Sequence, residues 1–228
     1  MVNIGLSTGM FHKFYGDEEI NRRISHISRW DVDVVEILFS RLFMLNIPIN
    51  PENKEFLKKK KVTIHAPFFV NEGYTFCMLG HDEIKKLVSI GKDLNAEYIV
   101  IHPNQVTDLS ILSDYDFKFV FENIKPKLTD TYFLENMKGI LDKFPSVGFA
   151  LDPGHSKHLS MNEIIVLTKK IKDLREVHCR IYDSKDFIAN GDKTHSYLKT
   201  LNANVLIEGV EDFTHVHEVI KKMREIVR

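Results

Sequence analysis

The sequence predicts a compact (β/α)8 barrel, and three observations carry that expectation. Eight short runs rich in β-branched and aromatic residues recur along the 228-residue chain. Most are apolar throughout rather than alternating, which suits parallel strands covered on both faces. Amphipathic segments of helical period separate several of them, so β and α units alternate from end to end. An open doubly wound sheet would place a glycine-rich phosphate loop after its first strand, and "STGMFHKFYG" is not a GxGxxG. No linker or shift of composition divides the chain, so residues 1–228 read as one domain.

The expected strands are "VNIGLS", "VDVVEILF", "KVTIHA", "EYIVIH", "TYFLEN", "VGFALD", "VHCRIY" and "NVLIEG". In "HDEIKKLVSIGKDLNAE", Ile84, Leu87, Val88 and Leu94 share one helical face. Phe117, Val120, Phe121 and Ile124 also recur at helical spacing, which puts Glu122 on the polar side of a helix. "MNEIIVLTKKIKDL" repeats the pattern through Ile164, Leu167 and Ile171, and a last helix is expected to start near Glu211. Helix signals are weaker after the second and seventh strands.

Composition excludes some functions. With 43% apolar residues, 28% charged and a net charge of −1, the chain lacks the basic excess of a protein whose whole surface grips nucleic acid or an acidic membrane. Two cysteines, Cys77 and Cys179, are too few for a disulfide framework and suit a reducing compartment. No apolar run approaches the roughly 20 residues that cross a bilayer. The expectation is a cytoplasmic protein with no membrane partner.

The informative residues stand at strand ends, where a barrel of this kind builds its active site. His65 ends the third expected strand, His102 the fourth, Glu135 the fifth and Asp152 the sixth, with His155 just beyond; Glu208 ends the eighth. "GDKTH" adds Asp192 and His195 between the last two strands. Any one of these could cap a loop or pair with a lysine. Together, so many acids on one rim would repel each other and lose solvation, and a divalent metal relieves both problems. Imidazole and carboxylate are ligands for zinc or manganese.

"IHAPFFVN", "VIHPN", "LENM", "LDPGH", "YDSK" and "LIEG" follow one another in the order and approximate spacing of the endonuclease IV family, which the chain resembles from the third strand to the eighth. That family shares a barrel superfamily with xylose-isomerase-like sugar isomerases and epimerases. The resemblance implies a three-zinc enzyme that cuts DNA at abasic sites. It would put His65, His102 and Glu135 around one zinc, let Glu135 bridge to a second shared with Asp152 and Glu208, and give the third to His155, Asp192 and His195. The family's seventh strand carries H-x-x-D, whereas here Arg180 stands three residues before Asp183 and His178 two further back. Either a bulge brings His178 to the rim, or the Arg180 guanidinium replaces a cation there. "DKTH" also has one residue more than the family's D-x-H.

Three functions follow. The first is hydrolysis of a phosphodiester in abasic or damaged DNA, with one to three metal ions activating a water and Glu135, Glu208 and Arg180 at the chemistry. The second is isomerisation or epimerisation of a small sugar or sugar phosphate, with carboxylates moving a proton. The third is a barrel that binds a ligand without catalysis.

Overall fold

The computed structural model describes residues 2–180, 191–209 and 216–227, without the side chains of Lys127, Arg180 and 191–195. Eight parallel strands close into a barrel in chain order: β1 (Asn3–Ser7), β2 (Val34–Leu38), β3 (Lys61–His65), β4 (Ile99–Ile101), β5 (Phe119–Glu122), β6 (Gly148–Leu151), β7 (Leu174–Arg180) and β8 (Asn204–Gly209). Seven α-helices lie among the described residues: α1 (Ile20–Ile27), α2 (Pro51–Leu57), α3 (His81–Asp93), α4 (Leu134–Leu141), α5 (Met161–Thr168), α6 (Gly191–Thr200) and α7 (Val216–Val227). None of them is long and apolar enough to cross a membrane.

Local chemistry sets these boundaries. Asn50 caps α2 through its side chain and is followed by Pro51, whose fixed φ suits a first turn. Ser160 and Glu163 form a reciprocal capping box on α5. On α3, Ile84, Leu87 and Val88 face inward beside Gly91. A Cβ at Gly91 would come within 2.6 Å of Phe117 Cζ, so any larger residue there would force that ring to shift.

The strand register sorts the inward side chains. Glu36 pairs with Thr63, His65 with Val100, Val100 with Val120, Glu122 with Ala150, and Glu176 with Asn204. Tyr98, Val100, Val120 and Ala150 form a small apolar cluster of their own, apart from the large one between strands and helices. Several other lumen residues are polar and buried: Glu36, Thr63, Glu176, His178 and Asn204 are each at most 4% exposed. Branched apolar residues fill most barrel lumens, so so many polar groups require a function or full pairing.

One element departs from the sequence expectation and moves a site residue with it. The fifth strand is Phe119–Glu122, not "TYFLEN", and Glu135 lies in the first turn of α4. Glu122 is therefore the glutamate at the end of β5. Every residue of this short strand is buried, with Val120 inside the barrel and Phe121 under the helices. A short run buried on both faces mimics a helical period by chance, which is how the spacing of Phe117, Val120, Phe121 and Ile124 misleads.

Candidate metal centre

Glu122 stands at the centre of the barrel mouth, 1% exposed. Its Oε2 lies 2.9 Å from His65 Nε2 and 3.0 Å from His102 Nε2. Its Oε1 lies 3.3 Å from His155 Nδ1 and 3.5 Å from His178 Nδ1. His178 Nδ1 also lies 3.1 Å from Glu208 Oε1, and His155 Nε2 is 3.2 Å from Asp152 Oδ2. Six strands thus send polar side chains to one point. Asn123, next to Glu122, fixes the neighbouring strand end: it accepts from Asp152 N at 2.8 Å and donates to Asp152 O at 2.9 Å and Ser156 Oγ at 3.1 Å. Asp152 in turn caps the short 3-10 turn that carries His155.

Outer contacts orient the rings. His65 Nδ1–H donates to the Ala66 carbonyl at 2.8 Å, and His155 Nδ1–H donates to the Asn123 carbonyl at 2.7 Å. Gln105 gives its amide protons to the Phe68 carbonyl, which turns its oxygen to His102 Nδ1 at 2.9 Å. Three rings therefore have Nδ1 occupied and Nε2 aimed at carboxylates, the arrangement that outer hydrogen bonds impose on metal-binding histidines.

Electrostatics point the same way. Burial opposes charge on Glu122, yet the His102 and His178 imidazoles hold its carboxyl well below the usual range. Burial likewise disfavours a charged His65, but the hydrogen bond to Glu122 wins and lifts it to about 9. His178 is raised well above the ordinary value, against its burial, by Glu208, Glu122 and Glu36. His102 is lowered by burial. A neutral His102 between Gln105 Oε1 and Glu122 has one proton for two acceptors, so one lone pair faces an oxygen.

These features test whether a metal suits the residues present, and they fit. His178 Nδ1 is buried and makes no hydrogen bond although two carboxylates flank it. His65, His102 and Glu122 can place ligand atoms on one ion, and so can Glu122, Asp152 and His155. An ion among them would relieve the mutual repulsion of the acids and accept the stranded lone pairs.

A cleft of about 540 Å³ opens over this cluster, walled by Phe68, Phe69, Tyr74 and Phe76 on one side. That volume suits a ligand of sugar size. Arg41 at its edge is committed: it donates to Asp17 Oδ2 at 2.7 Å and to the carbonyls of Val70 and Gly73 at 3.2 and 2.6 Å. A cleft of about 560 Å³ lies at the opposite end of the barrel, lined by Lys61, Lys118 and Arg175 among others. The histidine–carboxylate cluster lies at the mouth instead.

The structure brings His65, His102, Asp152, His155, His178 and Glu208 together. It does not bring Glu135, whose carboxylate is on the surface and meets His158 Nε2 at 2.8 Å. A register shift between Cys179 and Arg180 interrupts the β7–β8 ladder, and His178 reaches the cluster beneath it. The side chains of Arg180, Asp192 and His195 fall outside the described residues, so the third metal set implied by the resemblance does too. Sequence reasoning sets Glu122 aside as helical, leaves Glu36 at the second strand without a role, and does not single out Glu176. For Glu122 a usable signal existed, a buried Phe-Val-Phe run closed by Glu-Asn.

Fold and cluster together define a (β/α)8 barrel with a candidate metal centre at the C-terminal ends of its strands. No protein-family model matches the sequence, and no curated protein matches it significantly. Solved structures do match in fold. A D-tagatose 3-epimerase-like protein superposes with a TM-score of 0.67 at 16% identity, covering 99% of this chain and 98% of the other. A 3-keto-D-glucoside 4-epimerase from E. coli gives 0.64 at 15%, covering 99% of both. A D-psicose 3-epimerase, solved in the presence of D-fructose, gives 0.64 at 11%, covering 99% and 95%. At these identities the matches show a shared barrel fold, and they do not single out endonuclease IV.

Proposed function

We propose that this protein is a divalent-metal-dependent isomerase or epimerase acting on a small sugar or sugar derivative. The observation that carries the reading is the pair of carboxylates, Glu122 and Glu208, facing each other across His178 Nδ1 at 3.5 and 3.1 Å. Glu122, Asp152, His178 and Glu208 would hold the ion. When bound, it would polarise adjacent oxygens of the sugar and acidify the neighbouring C–H bond. Glu122 and Glu208 reach the same cleft from different strands, so one can take a proton from one face of a carbon while the other returns one. The ring of Phe68, stacked 5.8 Å from that of His102, shields this exchange from water. The epimerase names of the fold neighbours and the sugar-sized cleft support the reading.

Deuterium tests it. Protein loaded with manganese, cobalt or magnesium is incubated in D2O with a panel of ketopentoses, ketohexoses and their phosphates. The reading expects a second sugar to form and carbon-bound deuterium to enter it. Folded, metal-loaded protein that exchanges and converts none of them would overturn it.

One observation favours a second reading, phosphodiester hydrolysis. His65 and His102 both aim Nε2 at Glu122 Oε2, which supplies ligands for another ion beside the first. A metal pair clamps the attacking and leaving oxygens of a phosphodiester. Nicking of a duplex with one abasic site, lost in Glu122→Gln, would put this reading first.

A further inference from the structure

Below the metal cluster, a connected line of polar side chains descends through the barrel. His178 Nε2 lies 2.7 Å from Glu176 Oε1. Glu176 Oε2 accepts from the Tyr98 hydroxyl at 2.9 Å, and the Tyr98 oxygen accepts from Asn204 Nδ2 at 2.6 Å. Asn204 Oδ1 accepts from Asn3 Nδ2 at 2.9 Å, near the opposite end of the barrel. The donors can be assigned in sequence. The amide of Asn204 donates to Tyr98, so the Tyr98 proton goes to Glu176, and both Glu176 oxygens accept. With Glu176 as a carboxylate, Oε1 has no proton to give, so His178 Nε2 is the donor in that contact.

We infer that Glu176 is a positioning residue for the metal centre: it holds the proton on His178 Nε2 and so turns an unprotonated Nδ1 toward an ion shared with Glu122 and Glu208. This rests on the metal-dependent reading above. A carboxylate behind a metal-binding imidazole fixes its tautomer and orientation and increases its basicity. Tyr98 and Asn204 extend the arrangement by fixing Glu176 itself. The neighbouring Glu36 is not the partner. Its Oε2 lies 3.6 Å from His178 Nε2, beyond hydrogen-bonding distance, and neither of its oxygens makes a hydrogen bond.

A competing account is that Glu36, Glu176 and His178 hold a separate, deeper ion, since their ligand atoms lie within 4.8 Å of one another. Affinity and stoichiometry separate the two. Metal-free full-length protein is titrated with manganese and the free ion is read by electron paramagnetic resonance. For Glu176→Gln the inference expects an unchanged number of ions per chain and a Kd raised about 10- to 100-fold. Tyr98→Phe keeps the ring, loses the hydroxyl, and should raise Kd by about threefold to tenfold. It carries the test if Glu176→Gln does not fold. In zinc-loaded protein, the low-field proton on His178 Nε2 should move upfield in Glu176→Gln, a change that a merely destabilised fold would not cause.

A variant that keeps both the wild-type Kd and that proton overturns the inference. So does the loss of one whole ion per chain, which would make Glu176 a ligand. Folded wild-type protein that takes up no ion defeats the metal-dependent reading instead, an outcome that the wild-type titration alone reveals.

Discussion

Two Glu-Asn pairs, Glu122-Asn123 and Glu135-Asn136, have the same chemistry and opposite surroundings. The first closes β5, with Glu122 1% and Asn123 0% exposed among imidazoles and strand ends. The second opens α4 at the surface, where Glu135 meets the half-exposed His158. In the first position a carboxylate is held ionised by its neighbours and cannot reach water, so it acts strongly on whatever shares its pocket. In the second, solvent screens the same group and its ion pair contributes little. Place in the fold, rather than residue type, decides which glutamate does chemistry.

The comparison can be broken most directly by exchange of charge. Glu122→Gln should lower turnover by about a thousandfold or more, the scale on which a group at the reacting centre acts. Glu135→Gln should stay within about threefold, as surface changes away from a site do. Equal losses in initial-rate assays would refute the contrast. The asparagines sharpen it through stability. Asn123→Ala removes three buried hydrogen bonds to Asp152 and Ser156 and should destabilise by about 2–4 kcal/mol in denaturant titration. Asn136→Ala, on the helix surface, should stay within about 0.5 kcal/mol.

Removal of metal acts on the Glu122 region alone. An ion at about a hundred times its Kd adds about 2.7 kcal/mol, so a chelator should lower Tm by about 5–10 °C in wild type and in Glu135→Gln. In Glu122→Gln the chelator should have almost no effect.

A smaller effect is expected from pH in metal-free protein. Burial and the neighbouring Glu176 push Glu36 up to about 8, from an ordinary 4.5, so the folded state holds a proton there that the unfolded chain has released. His65 does the same between its ordinary 6.5 and about 9. Stability rises with pH only where the unfolded state binds more protons, and here the folded state does. Tm should therefore fall as pH rises from about 5 to 9, and Glu36→Gln should flatten the part below 8. Glu122, held low, works oppositely: its contribution is present above 4.5 and lost as pH falls through its depressed value.

Much of this arrangement is legible in the sequence because barrel geometry puts strand ends at the mouth. His65, His102, Asp152 and Glu208 each follow an apolar run directly, and the structure gathers them. Glu122 is not, because β5 is short and buried on both faces, so its periodicity is ambiguous, while Glu135 follows a run that looks like a strand. For His178 the sequence leaves a bulge and an arginine replacement both open, and the register shift before Arg180, which counting along the chain cannot show, is what accompanies its place in the cluster. Glu36 and Glu176 are hidden for another reason. Both sit inside their strands, and their meaning comes from contacts with strands far apart in the chain, so the sequence leaves Glu36 without a role and Glu176 unmarked.

The measurement that tests the central claim most directly is metal per chain by elemental analysis, after loading and gel filtration, for wild type, Glu122→Gln and Glu135→Gln. A site centred on Glu122 predicts at least one divalent ion in wild type and in Glu135→Gln, and a large loss in Glu122→Gln. Folded wild-type protein that retains no ion, or a loss confined to Glu135→Gln, would contradict it.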